Sequence, residues 1–365
     1  MTGRLVLENL KHKPMRSLLS FLLIGVPVTL ILTLVGLSHG MLEDSQNRAR
    51  GIGADVIIRG SSASSLTSSS GASIPEGVVR KVEEQPHVKM AMGVVVHLVD
   101  FPLNIMGVDL NRFNAMNGGF TFADGGPFQQ LNDIIVDEAY ARQKKKHQGE
   151  TLKLMNRDWR IAGIVRGGKL ARIVVQKDVL QELDAAKGKV SVIYVKLDNP
   201  ALADEVAQEL KTLMPNYVVD TMEAYTAMFN VNNIQGVKEF IYVIMGIGVV
   251  IGFAVVCLSM YMAVLQRTRE IGILKALGAS SSFILRIVLA EALILGIGGT
   301  VLGIIMSYGS YWAIRTFVPA SIPMIIVKSW WLNAGLITLV GAGLGALYPG
   351  LSAARQDPIE ALAYE

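Results

Sequence analysis

The sequence predicts an integral membrane α-helical protein with four transmembrane helices and a large extracytoplasmic α+β domain. Three observations predict it. Four apolar runs are long enough to cross a bilayer, basic residues gather at one set of their ends, and a polar stretch of domain size separates the first run from the second. Composition agrees. The 365 residues are 51% hydrophobic and only 18% charged, with mean hydropathy +0.42, whereas a soluble domain carries about a quarter charged residues.

A helix needs roughly 20 apolar residues to cross the hydrocarbon core. The first run, residues 17–42, holds no Asp, Glu, Lys or Arg. A secretory signal has a shorter apolar stretch, about 7–15 residues, followed by a small-residue cleavage site. Neither applies, so the run is expected to be a retained span. The second span is predicted over 239–266, the third over 285–315 and the fourth over 329–354. The third contains one acid, Glu291, near its start.

Lys and Arg flanking the spans set the orientation. Arg4, Lys11, Lys13 and Arg16 precede the first span, in an amphipathic N-terminal segment over 1–16. Arg267, Arg269, Lys275 and Arg286 lie in or beside the 267–284 segment between the second and third spans, and Arg355 opens the tail over 355–365. The loop over 316–328 carries only Lys328, with Arg315 just before it. Both termini and the 267–284 segment are therefore expected in the cytoplasm, in a multi-pass protein of the inner or plasma membrane. The net charge of +4 does not point to nucleic acid, because the basic residues sit where spans end. A single cysteine, Cys257, excludes an internal disulfide.

Residues 43–238 then lie outside the cytoplasm, and about 190 residues suffice for one sizeable or two small domains. A strand is read over 54–59. A Ser/Gly/Ala/Thr stretch over 60–73 follows, which is either a mobile loop or one that orders against a partner. A helix over 75–85 and a strand over 88–99 come next. A second strand–helix–strand unit is read over 190–198, 200–214 and 217–220, with Leu202, Val206, Leu210 and Leu213 at helical spacing. Between the two units, about 101–187 is rich in short strands and Gly turns and reads as a β-rich inserted lobe. Residues 221–239 look helical and lead into the second span.

Catalytic motifs are missing from the sequence. There is no HExxH and no GxSxG. Gly163 to Lys169 has phosphate-loop spacing, but Leu170 stands where a hydroxyl should hold magnesium, so it is read as a turn between strands. Metal and cofactor sites are not expected. Glu291 lies about one turn from Arg286 and is read as a partnered or interfacial acid rather than a proton or substrate site. Small residues recur at the close-packing spacing in three spans, Gly248/Gly252, Gly299/Gly303 and Gly341/Gly345, and are expected to serve helix packing.

Two cytoplasmic stretches are unusual. Gln266-Arg-Thr-Arg-Glu-Ile-Gly-Ile-Leu-Lys-Ala-Leu-Gly-Ala279 can form a short amphipathic helix, with Ile271, Leu274 and Leu277 on one face and Arg269, Glu270 and Lys275 supplying charge. It is either a docking element for a cytoplasmic partner or an ordinary charged loop. The tail, ARQDPIEALAYE, is a helix interrupted at Pro358.

With these residues the chain resembles the FtsX-like permease family, which includes MacB-type and LolC/LolE-type ABC transporter subunits. QRTREIGILKALGAS resembles its coupling segment and ARQDPIEALAYE its C-terminal signature. Arg16-Ser17 and Glu291 with the Gly-rich run after it also fit. The layout of one span, a large outer domain and three further spans is similar over the whole chain, without a fused ATPase domain. The resemblance implies a non-catalytic permease subunit of an ABC transporter, paired with a second copy or a paralogue. ATP and magnesium would be bound by a separate ABC ATPase. It implies that Arg267, Arg269, Glu270, Ile271, Gly272, Leu274, Lys275, Leu277 and Gly278 couple to that ATPase. Export or efflux of an amphiphilic substrate, with a periplasmic adaptor protein on the outer domain, is the leading expectation. The alternative is a mechanotransmission module acting on an outside partner such as a cell-wall hydrolase. A membrane enzyme lacks any catalytic constellation.

Overall fold

The structure is a computed structural model that describes residues 14–60, 73–100, 103–229, 237–317 and 323–356. Most of the expected N-terminal segment, the Ser-rich stretch, the tail beyond Gln356 and the centre of the 316–328 loop lie outside the described residues. The chain divides into two units, whose boundary falls within the first helix at His39/Gly40.

Helix α1 is Pro14–Arg50. It continues past the apolar run, where Glu43, Gln46, Arg48 and Ala49 favour helix and Asp44 pairs with Arg48 one turn on, at 2.9 Å. The second unit then builds β1 (Val56–Gly60), β2 (Ile74–Pro75), α2 (Gly77–Glu83), β3 (Val88–Asp100) and β4 (Leu103–Val108). These are followed by α3 (Leu110–Asn117), β5 (Phe122–Gly125), β6 (Asp133–Asp137), α4 (Glu138–Lys144), β7 (Thr151–Leu154) and β8 (Arg157–Val165). It closes with β9 (Ile173–Gln176), α5 (Lys177–Leu183), β10 (Lys189–Val190), β11 (Val192–Leu197), α6 (Ala203–Leu213), β12 (Tyr217–Thr221) and α7 (Met222–Met228).

Ten strands form one mixed sheet in the order β12-β1-β11-β3-β4-β9-β6-β8-β5, with β7 also on β8. The pairs β4–β9 and β6–β8 are parallel. The strands of the expected β-rich lobe, β4, β9, β6, β8, β5 and β7, pair among themselves. They join the strands of the two strand–helix–strand units only through the long β3, which pairs with β11 through its first half and with β4 through its second.

Both faces are covered at the central strands β1, β6, β9 and β11, which explains why these read as apolar runs rather than alternating ones. Ile58, Ile134, Val136, Ile193 and Val195 point to one core, shared with Val82 of α2, Leu180 of α5 and Leu210 of α6. Their neighbours Ile57, Ile135, Val192 and Tyr194 point to the other, shared with Ala49 of α1, Phe113 of α3 and Tyr225 of α7. Helices α3, α4 and α5 were not legible in the β-rich segment. At seven or eight residues they are too short to display a helical period. Two of them do carry N-caps. Asp109 accepts from Asn111 N at 2.9 Å, and Asp137 accepts from Tyr140 N at 2.7 Å. Helix α7 ends at Met228, and the continuity expected from there to the second span falls in residues outside the described ones.

Buried charges in this unit are paired. Asp44 Oδ2 accepts from Arg48 Nε at 2.9 Å and Arg172 Nη2 at 2.8 Å. Asp137 Oδ2 accepts from Arg48 Nη2 at 2.6 Å and Arg172 Nη1 at 3.0 Å. Two anions and two cations thus close a ring between α1, the end of β6 and the residue before β9. Asp133, fully buried at the start of β6, takes both Arg160 nitrogens at 2.8 Å and the amides of Gln129 and Gln130 at 2.7 and 2.8 Å.

In the first unit the helices are α1, α8 (Val237–Gln266), the short α9 (Thr268–Ala276), α10 (Ser281–Phe317) and α11 (Trp330–Arg355). Helices α1, α8, α10 and α11 are long and apolar enough to cross a membrane. Apolar side chains gain little from meeting each other in lipid, so packing and close backbone approach hold such helices together. Gly25, Gly299 and Gly303 bring α1 and α10 into backbone contact. A Cβ at Gly303 would stand 2.8 Å from the Gly25 carbonyl oxygen and 2.6 Å from Val28 Cβ, and one at Gly299 2.4 Å from Ile24. Thr29 Oγ1 seals the crossing by donating to the Gly303 carbonyl at 3.1 Å. A Cβ at Gly345 would lie 2.7 Å from the Phe253 carbonyl of α8, one at Gly248 3.1 Å from Ile31, and one at Gly341 3.7 Å from the Val249 carbonyl. Among the described residues nothing lies within 4 Å of a Cβ built at Gly252, so in the expected Gly248/Gly252 pair only Gly248 makes a close approach there.

Two outcomes follow from these geometries. Gly303→Ala should cost about 1–3 kcal/mol by overpacking, lowering the thermal midpoint in detergent, while Gly252→Ala leaves it unchanged; equal midpoints would contradict the crossing. Burial alone would raise the Asp133 pKa, but the Arg160 bonds and the two amides outweigh it and hold the carboxylate below its usual range. Its contribution is therefore present above the unfolded value of about 3.9 and is lost as pH falls through the lower folded value. Asp133→Asn should remove about 2–3 kcal/mol at neutral pH and flatten the acid limb of a denaturation profile followed by hydrogen exchange in β6 and β8.

Candidate functional site

The segment between the second and third spans is held by local chemistry at each end. Helix α8 stops at Gln266 because Arg267 leaves helical geometry, with φ −118° and ψ 17°. Thr268 Oγ1 donates back to the Val264 and Leu265 carbonyls, at 3.3 and 2.9 Å, satisfying the orphaned end of α8. Helix α9 ends in a Schellman turn. Gly278 N donates to Lys275 O and Ala279 N to Leu274 O, both at 3.0 Å, with Gly278 at φ +93°. That conformation strains any residue with a Cβ, which accounts for glycine there.

The sequence-predicted coupling residues divide into three groups. Arg269, Glu270, Leu274, Leu277 and Gly278 are exposed. Ile271 and Gly272 are buried, Ile271 in a cluster with Val264, Ile284 and Val288. Ile271 thus anchors α9 to its own bundle rather than presenting to a partner. The apolar face that remains outside is Ile273, Leu274 and Leu277, at 45%, 38% and 81% exposure. Ile273 was missed by the sequence reading. The i, i+4 spacing of Ile273 and Leu277 could have found it, but in nine residues two helical faces fit the apolar pattern equally well.

The third group, Arg267 and Lys275, turns inward. Arg267 meets Glu291 of α10 at 3.2 Å, with a second contact at 3.5 Å. Glu291 is therefore a partnered acid, but its partner is Arg267 across the fold rather than Arg286 one turn away. Sequence proximity suggested Arg286; the helical hairpin brings a more distant arginine closer. Lys275 Nζ donates to the carbonyls of Ala354 and Gln356 at 2.9 and 2.6 Å, and Ser281 Oγ joins it on Ala354 O at 2.8 Å. Beside α9 lies a cleft of about 140 Å³, lined from that helix by Arg267, Glu270, Ile271 and Leu274 and from the neighbouring helices by residues that include Val264, Val288 and Glu291.

Gly163 to Lys169 lies in and after β8, and Lys169 donates to the Gly119 carbonyl. Its ammonium thus serves a neighbouring loop.

Residues 242–358 match the FtsX-like permease C-terminal family, and residues 17–213 match the MacB-like periplasmic core domain family. An uncharacterized ABC transporter permease of Methanocaldococcus jannaschii is 27% identical over 228 residues, covering 59% of this chain and 57% of the relative. The macrolide export ATP-binding/permease protein MacB of Escherichia coli K12 is 26% identical over 325 residues, covering 78% of this chain and 48% of the relative. The chain thus spans about half the length of these curated relatives. Among solved structures, the periplasmic region of MacB from Actinobacillus actinomycetemcomitans aligns with TM-score 0.38 at 15% identity, over 51% of this chain and 97% of the other. The extracellular domain of the noncanonic ABC-type transporter YknZ from Gram-positive bacteria aligns with TM-score 0.35 at 16% identity, over 46% and 99%.

The Arg267–Glu291 pair makes a cycle testable. Arg267→Ala leaves a buried carboxylate without its cation and should destabilise the detergent-solubilised chain more than Arg267→Ala/Glu291→Gln does, with a coupling of roughly 1–3 kcal/mol. Additive losses in thermal unfolding would show that the pair does not hold α9.

Proposed function

The chain belongs to the MacB/FtsX-type family of ABC transporter permeases, and on that premise we propose that α9 is the surface on which a separate ABC ATPase docks. The observation that carries this reading is the exposed ridge of Ile273, Leu274 and Leu277, flanked by Arg269 and Glu270. An apolar ridge with charged edges on a short helix suits insertion into a groove of a folded partner. Its ends are fastened to the bundle, so the ridge is presented without a large ordering cost.

In this reading α9 and both termini face the cytoplasm of the cell membrane, as the Lys and Arg positions favour. ATP and magnesium bind to the ATPase chain, and this chain supplies no catalytic group. Two permeases, identical or paralogous, pair with two ATPase chains. ATP-driven closure of the ATPase pair shifts α9, and the movement reaches the domain between the first and second spans. The work performed is export of an amphiphilic substrate, with an adaptor protein at that domain.

Glu270 is exposed and has no ion-pair partner among the described residues. Glu270→Lys should abolish permease-dependent ATP turnover in a reconstituted complex and lose the ATPase on gentle extraction, while the thermal midpoint of the permease is unchanged. Wild-type turnover with the lysine variant would count against α9 as the docking surface. Native mass spectrometry of the wild-type complex is expected to give two permeases with two ATPase chains.

A further inference from the structure

The two basic residues that turn away from the docking ridge form the strongest unassigned feature of the membrane unit. Helix α9 is fastened at its first turn by Arg267 to Glu291 of α10, and near its last by Lys275 to the carboxyl end of α11. Between these points the cleft of about 140 Å³ runs along the side of α9 that carries Glu270, Ile271 and Leu274. A load on the ridge passes along the chain into α8 and α10, and across the fold through those two fastenings and the Ile271 contact.

The Lys275 fastening has the better physical footing. The last carbonyls of a helix have no partner within it, and the negative end of the helix dipole lies there. An ammonium with three N–H donors satisfies two of those carbonyls at once. Ala354 and Gln356 follow directly on the part of α11 that packs most tightly. A Cβ at Gly350 would lie 2.8 Å from Leu285 of α10, and one at Gly345 2.7 Å from the Phe253 carbonyl of α8. Helix α11 is thus the element that both α8 and α10 lean on, and Lys275 is attached to its end.

We propose that Lys275 is a positioning residue that clasps α9 to the carboxyl end of α11, so that movement of the docked helix is delivered to α11 together with α8 and α10, its neighbours along the chain. The coupling role rests on the docking reading above; the clasp itself does not. Lys275 is then not an ATPase contact, and replacing it should separate assembly from coupling, which replacement of Glu270 cannot do.

Two measurements decide it. In nanodiscs, spin labels at Leu277 and Leu351 in a Cys257→Ser background report the distance across the clasp. The parent chain and Lys275→Arg should give one narrow distribution and Lys275→Met a broad one; indistinguishable distributions overturn the clasp. In complexes with the ATPase that co-purifies with the wild-type chain, Lys275→Met should retain that ATPase fully while permease-dependent turnover falls about tenfold, with Lys275→Arg restoring it. Unchanged turnover overturns the coupling role. A wild-type chain that retains no ATPase overturns the docking reading and the coupling role with it, whereas the label distances still decide the clasp.

Discussion

The membrane unit depends on one constraint, the close approach of helix backbones where there is no hydrophobic drive to bring them together. Helix α11 meets it with small side chains. Ala334, Ala342, Ala346 and Ala353 are almost wholly buried, and Gly345 and Gly350 leave no room for a Cβ against α8 and α10. Helix α10 does the same toward α1 with Gly299 and Gly303. Larger residues at these points would separate the helices by a side-chain width. The Thr29 hydrogen bond to Gly303 would be lost with the approach of α1 and α10 that makes it.

The second unit obeys a different rule. The central strands of its sheet are covered on both faces, so the hydrophobic effect does most of the work there, and buried polar groups must be matched locally. Asp137 shows how tightly the matching is drawn. One carboxylate oxygen caps α4 and the other takes two arginines. The same residue thus terminates β6, starts a helix and fixes the end of α1. Asp133, at the other end of β6, collects Arg160 and two turn amides. A single five-residue strand is pinned by buried acids at both ends.

Helix α9 joins the two kinds of chemistry. Its apolar residues split between an inner contact, Ile271, and an outer ridge. Its cations split as well, with Arg269 outside and Arg267 and Lys275 inside. A helix of nine residues can do this because it turns only two and a half times. Each side chain then meets a different neighbour, and the neighbours come from three other helices.

What the sequence by itself determined is whatever a local pattern can carry. The four spans follow from apolar length, their number and order from the runs at 17–42, 239–266, 285–315 and 329–354, and α9 from its motif and the glycine that ends it. Strands buried on both faces were readable as apolar runs. What only the tertiary structure decided are the pairings that skip along the chain. Arg267 rather than Arg286 faces Glu291, Lys275 reaches the end of the last helix, Ile271 turns in while Ile273 stays out, and the two halves of β3 join the β-rich lobe to the rest of its unit. In each case the competing choices have the same composition and nearly the same local spacing. The energy that separates them comes from which backbone groups and charges are left unmatched once distant helices and strands are brought together, and no local window of sequence contains both partners.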